Sequence, residues 1–251
     1  WGWGRNGWGQ LGGRTTADRT TPGQVCALPT WASVALGGST SAARRTDGTL
    51  WAWGANGNGL VGDGTGTDRT APTQVGSATT WTWVDLSGWH VLAGRSDGTL
   101  WAWGYNPSGQ FGTGDTSPSL VPVQSGPVHD WKVLSTGMVH TLGVRSDGSL
   151  WAWGDNPGGQ LGDGTTTDRS APLRIGTSTW TAVAAGGNHT LAVRFDGTLW
   201  AWGANSFGQV GDGTTTARSA PVQIGAATTW TAVTAGNQYS VAMRSDGTLW
   251  A

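Results

Sequence analysis

The sequence predicts an all-β protein, a β-propeller assembled from four-stranded blades of about 50 residues. An exact repeat, a turn signal inside every repeat and the absence of any helical period carry that expectation. The tetrapeptide Trp-Ala-Trp-Gly returns at residues 51, 101, 151 and 200, with Trp-Gly-Trp-Gly at residue 1 and a truncated Trp250-Ala251 at the other end. Aligned on these anchors, one repeat domain over 1–251 divides into units 1–50, 51–100, 101–150, 151–199 and 200–249, and 250–251 opens a sixth. Asp-Gly falls at 47–48, 97–98, 147–148, 196–197 and 246–247, each time between two runs of alternating apolar residues. That is a strong hairpin signal, and it is read as a two-residue type I′ turn. No stretch keeps a 3.6-residue apolar period over about ten residues.

Taken in order, a unit opens with the Trp-Ala-Trp-Gly strand and passes into a loop such as "GQLGDGT". A short strand follows around "APVQIG" (220–225), another begins at the thirty-first position ("WTAVAAG", 180–186), and a third begins near the fortieth and ends at Asp-Gly. Tryptophan recurs at the first position (Trp1, Trp51, Trp101, Trp151, Trp200), the third (Trp3, Trp53, Trp103, Trp153, Trp202) and the thirty-first (Trp31, Trp81, Trp131, Trp180, Trp230). These account for fifteen of the nineteen Trp, a regularity expected of blade-to-blade core and not of a reactive cluster. In the loops, glycines are expected where φ is positive or backbones approach closely. Asp63, Asp163 and Asp212 are expected to accept turn hydrogen bonds. The dipeptides Asp18-Arg19, Asp68-Arg69 and Asp168-Arg169 are expected to form inter-blade ion pairs, each worth at most about 1 kcal/mol.

Composition excludes several functions. Charged residues make up 12% of the chain against about 25% on average, while Gly and Trp number 44 and 19. With a net charge of −1, Lys132 as the one Lys and the Arg dispersed, no nucleic-acid partner is expected. No apolar run approaches the roughly 18 residues of a membrane span, so no membrane insertion is expected. Cys26 is alone, which precludes an intrachain disulfide and a cysteine metal cluster. The chain opens on Trp1, so a leader removed earlier or lying outside this stretch remains compatible with it.

No catalytic residues, metal site or cofactor are expected. The chain has no Gly-x-Ser-x-Gly, no His-Glu-x-x-His and no phosphate loop ending in Gly-Lys-Ser/Thr. "GDGTTTD" spaces Asp163 and Asp168 five apart but lacks the ligand pattern of an EF-hand. Almost all carboxylates fall at repeated turn positions. His90, His140 and His189 align one per unit and are read as hydrogen-bonded core or rim groups.

Where otherwise similar units differ, the fold makes no demand. The fifth position reads Arg5, Ala55, Tyr105, Asp155, Ala204; the eighth Trp8, Asn58, Ser108, Gly158, Phe207; the thirty-ninth Ser39, Trp89, Val139, Asn188, Gln238. Pairing across a two-residue turn sets position 40 of one unit opposite position 5 of the next, so these variable sets share the rim opposite the Asp-Gly turns. Trp89 is expected beside Tyr105, Met138 and Val139 near Asp155, and Phe207 near Asn188. Trp8, Trp89, Tyr105, Met138, Val139, Asn188 and Phe207 are therefore the candidate partner-binding residues.

The segment "GGNHTLAVRFDGTLWAWGANSFGQVGDGT" (186–214) resembles the repeat of the regulator of chromosome condensation family: Gly-x-x-His-Thr-Leu, then Asp-Gly, then Trp-Gly-x-Asn-x-x-Gly-Gln-Leu-Gly. The likeness covers the whole chain. It departs where Thr40 and Tyr239 replace the His and where the third unit reads "GTGDTSPSL". The resemblance implies a seven-bladed propeller, whereas this chain holds five units, and Trp250-Ala251 repeats the register of Trp1-Gly2. The expectation is a stretch of a longer array, about 350 residues for seven units, with self-association through open blade ends as the alternative. Family members act as exchange factors for a small GTPase, as an inhibitor of a secreted enzyme and as a plant ultraviolet receptor. None of those activities is implied here, because their working residues are particular to each branch. The functional expectation is a non-enzymatic scaffold binding an unidentified protein. The alternative is a structural repeat protein or fibre subunit. Scarce Lys with abundant Thr and Gly resembles bacterial surface proteins and suggests an extracellular or cell-surface location.

Overall fold

The structure is a computed structural model that describes residues 1–26, 30–126 and 130–251. Among the described residues every regular element is a strand, and each strand pairs antiparallel with its neighbours. The chain falls into two compact units, Trp1–Pro107 with Ser117–His129, and Ser108–Thr116 with Asp130–Ala251.

In the first unit, β1 (Gly2–Gly4) pairs with β2 (Arg19–Gly23). A four-stranded sheet follows in chain order: β3 (Trp31–Leu36), β4 (Thr40–Arg45), β5 (Leu50–Gly54) and β6 (Arg69–Gln74). The next sheet is β7 (Trp81–Leu86), β8 (His90–Arg95), β9 (Leu100–Gly104) and β10 (Ser119–Gln124). A blade thus runs from the thirty-first position of one sequence unit to the twenty-fourth of the next, and the Trp-Ala-Trp-Gly anchor is its third strand.

The second unit opens with a seven-stranded sheet: β11 (Trp131–Thr136), β12 (His140–Arg145), β13 (Ser149–Gly154), β14 (Arg169–Ala185), β15 (His189–Arg194), β16 (Leu199–Gly203) and β17 (Arg218–Gln223). It is two blades in series. The 17-residue β14 ends one as its fourth strand, opposite β13, and begins the next as its first, opposite β15. A three-stranded sheet of β18 (Trp230–Ala235), β19 (Ser240–Arg244) and β20 (Leu249–Trp250) completes this unit.

The middle strands are buried on both faces, not alternately. β8, β12 and β15 are buried along all but their last residue. In the first unit Leu50, Val75, Trp81, Val91 and Trp103 share one core cluster; in the second, Leu142, Leu161, Trp180 and Trp202 share another.

The repeated tryptophans divide into separate roles, which corrects the expectation of one uniform core. Third-position Trp103, Trp153 and Trp202 are fully buried. Their indole N–H groups reach back to the preceding repeat, donating to the main-chain oxygens of Leu60, Gln110 and Gln160 at 2.9–3.0 Å. First-position Trp101, Trp151 and Trp200 are only half-buried. Each donates to the hydroxyl two residues before it, from Thr99, Ser149 and Thr198. Each is also covered by an Arg: the guanidinium carbon of Arg95 lies 3.8 Å from the Trp101 ring and 4.5 Å from Trp81, and that of Arg194 lies 3.5 Å from Trp200. Trp1 and Trp3 are 81% and 60% exposed.

The Asp-Gly turn also differs from expectation. Gly48 has φ +79° whereas Asp47 is not in the left-handed region, and Gly48 N–H donates to Arg45 O while Arg45 N–H donates to Thr49 O. The loop is therefore three residues long, a turn followed by a left-handed glycine, and not a two-residue type I′ turn. The Asp47 carboxylate braces this turn, accepting from both Thr49 N–H and Thr49 Oγ.

Candidate interaction rim

The three-residue turn moves the strand register by one. Thr40 pairs with Gly54 and His189 with Gly203, so the fortieth position faces the fourth of the next unit. The thirty-ninth then faces the fifth. Tyr105 N–H donates to Trp89 O, Asp155 N–H to Val139 O, and Ala204 N–H to Asn188 O, at 2.8–2.9 Å. Two variable positions thus lie face to face at the end of each hairpin. The correction draws the candidate residues closer together than the two-residue turn would.

In the first unit Trp89 and Tyr105 form an aromatic pair, with ring centroids 5.3 Å apart at 47°, and both remain more than a third exposed. Trp8, 47% exposed, stands on another loop of that unit. In the second unit Met138 is 38% exposed, Val139 is half-buried, and Asn188 is exposed.

Phe207 stands on the loop after β16. It is 70% exposed and lines a cleft of about 570 Å³ together with Gln238 and Tyr239. The loop after each third strand crosses toward the following blade, so the eighth position belongs with the fifth position of the next unit. Ser108 Oγ donates to Asp155 Oδ1 at 3.1 Å, and a Cβ built on Gly158 would stand 3.2 Å from Ala204 Cβ.

Asp155 has a setting that composition did not reveal. It is half-buried, its Oδ1 accepts from Ser108 and its Oδ2 from Gln160 Nε2 at 2.9 Å, and no Lys or Arg among the described residues pairs with it. Burial pushes its carboxyl above the usual range, the Asp168 carboxylate adds to that, and the two hydrogen bonds oppose it. It differs in this from the repeated loop carboxylates. Burial also pushes Asp163 up, but the Thr165 hydroxyl, the Arg169 guanidinium and the Thr165 N–H together hold it below the usual range.

The repeated loops themselves are internally satisfied. Asn156, fully buried, donates from Nδ2 to Thr165 O and Thr167 O and accepts from Leu161 N–H; Asn6, Asn56 and Asn205 do the same in their units. Asp63, Asp163 and Asp212 accept from the Thr two residues on, as expected. The Asp-Arg dipeptides do not join blades. Arg69 and Arg169 pair with Asp63 and Asp163 of their own loops, and Asp18, Asp68 and Asp168 accept from Asn6, Asn56 and Asn156 N–H. In the second and fourth repeats the loop leaves its Arg within reach of a nearer carboxylate, Asp63 or Asp163; in the first, Gly13 stands at that position.

The aligned histidines are buried hydrogen-bonding groups. His189 Nε2 lies 3.0 Å from Ser240 Oγ, and His90 Nδ1 lies 2.9 Å from Ser87 Oγ. Burial pushes His90 down to about 3 and His189 down to about 4. Among the described residues no group of three or more His, Cys, Asp or Glu is placed to hold a metal ion, and no helix is long and apolar enough to cross a membrane.

Repeated antiparallel blades with a tryptophan-and-glycine repeat define the class as a repeat β-propeller protein. The RCC1-like domain model matches residues 1–251, and the chain belongs to that family. Human WBSCR16 is similar in structure, with a TM-score of 0.83 and 22% identity, over 96% of this chain and 66% of that one. This chain thus spans just under two thirds of that protein's resolved length. Yeast RCC1 (Prp20), solved bound to Kap60, gives a TM-score of 0.66 and 19% identity, over 98% of this chain and 76% of that one. The ectodomain of the Physcomitrella patens receptor kinase CR4 gives 0.52 and 15%, over 86% and 47%. No curated protein matches the sequence. At these identities the likeness is one of fold.

Proposed function

We propose that this chain is a non-enzymatic protein-binding scaffold whose variable hairpin ends and loops form the contact surface. The observation that carries the reading is the Trp89–Tyr105 pair. These are two large aromatic side chains, held in contact and exposed, at positions filled by residues as different as Ser, Val, Asn, Ala and Asp in the other repeats. Aromatic residues of this kind anchor protein interfaces. A structural neighbour supports it: yeast Prp20 was solved with Kap60 bound, and its binding to Gsp1p and histones has been described. An extracellular or cell-surface setting is supported by composition alone, a single Lys among abundant Gly and Thr.

The test is the double substitution Trp89→Ala and Tyr105→Ala. It should leave the melting temperature within a few degrees of the parent, since neither ring belongs to a core cluster, while capture of the partner by cross-linking in the source cells is lost. Undiminished capture would refute the reading. Light scattering should give a discrete species; large regular particles would favour the structural-subunit alternative.

A further inference from the structure

We propose that the rim of the second unit holds a receptor site for one arginine side chain of a protein partner, with the Asp155 carboxylate as its anion and the turn of exposed Met138 and half-buried Val139 as its apolar shoulder. The inference rests on the scaffold reading and specifies the partner's chemistry. Both oxygens of Asp155 are fixed, one by Ser108 Oγ and the other by Gln160 Nε2, and each keeps a further lone pair. A carboxylate held by both oxygens is a ready match for the planar guanidinium fork. The three methylenes of an arginine need an apolar path beside the charge; Val139 accepts through its carbonyl from Asp155 N–H, and Met138, 38% exposed, precedes it in the chain.

The fold does not require this carboxylate. The equivalent residues are Arg5, Ala55, Tyr105 and Ala204. Gln160 is fixed without it, because its Oε1 accepts from Gly158 N–H as Gln10, Gln110 and Gln209 accept from Trp8, Ser108 and Phe207 N–H in their own loops. A half-buried carboxylate lacking a cation of its own is costly to keep, and a cation supplied from outside offsets that cost. Arginine carries the charge at any physiological pH.

The probe is acetyl-Gly-Arg-Gly-amide, titrated into the full chain while methionine methyl and backbone amide resonances are followed, with the neutral citrulline peptide as control. The arginine peptide should give saturable shifts confined to Met138, Val139, Asp155, Ser108 and Gln160, and the citrulline peptide none. Asp155→Ala, the residue other repeats use here, should weaken binding by about tenfold or more without lowering the melting temperature. Equal response to the two peptides would overturn the proposal, as would retained affinity in Asp155→Ala. A lower melting temperature for that variant would also overturn it, because the carboxylate would then serve the fold. Should the site fail while the Trp89/Tyr105 variant still loses its partner, the scaffold reading stands without it.

Discussion

The oxygen of Gln110 accepts twice, from Trp153 Nε1 and Thr141 Oγ1, and Gln160 O does the same for Trp202 and Thr190. Both lone pairs of a buried carbonyl are thereby used to join a loop to the next blade. Trp153→Phe keeps most of the ring but removes one donor and part of the packing, and should cost about 2 kcal/mol in denaturant unfolding. Asn156→Ala leaves Leu161 N–H, Thr165 O and Thr167 O without partners inside a tight loop, and should cost about 3 kcal/mol. Neither role is legible in the sequence beyond the repetition of the residues, because periodicity shows that a residue is needed and not which atom needs it. The histidines set a pH limit. Their folded values of about 3 and about 4 lie below the unfolded value near 6.5. Within that window the unfolded chain binds protons that the folded one refuses, so stability is complete above about pH 6.5 and falls as pH drops toward 4 and then 3. The melting temperature should begin to decline near pH 6, before most carboxylates titrate, and His189→Gln should flatten the curve; an unchanged melting temperature down to pH 4 would contradict this.

At the level of strands, the repeat spacing located the hairpins, and Asp-Gly marked where each one turns. The expected turn type was one residue short, because a backbone tightened by Asp47 and Thr49 is indistinguishable in sequence from a type I′ turn. One residue changes which side chains meet. It is the reason Trp89 faces Tyr105 directly, and the approach of the eighth position to the fifth of the next unit shows the same limit: a loop's crossing to the next blade leaves no trace in hydrophobic alternation. Gly62 displays the constraint that such loops obey. Its φ is +74°, and a Cβ there would lie 2.7 Å from Trp103 Nε1. Gly62→Ala should therefore lower stability by about 2 kcal/mol or more, whereas Gly57→Ala, which meets nothing within 4 Å, should be nearly neutral; a thermal melt of Gly76→Ala, where φ is +59° with nothing within 4 Å, would separate conformational strain from contact.

Over the whole chain, repetition and variation mark different duties. Residues that recur satisfy buried N–H and C=O groups or fill the cores of the two compact units. Those that vary, Tyr105, Asp155, Trp89 and Phe207 among them, stand at hairpin ends and loop tips. Fold class was legible because fifteen tryptophans recur at the same three positions. The Arg residues that cover the first-position rings recur equally, as Arg95, Arg145, Arg194 and Arg244, but a strand arginine does not declare the ring it covers. The most direct test is hydrogen exchange at the indole N–H groups of the protein labelled with 15N-tryptophan. If recurring indoles hold the fold and variable ones do not, the Trp103, Trp153 and Trp202 N–H groups exchange only on global unfolding, while those of Trp8 and Trp89 exchange at nearly the rate of free tryptophan. Rapid exchange at Trp103, or protection at Trp89 equal to it, would contradict that division.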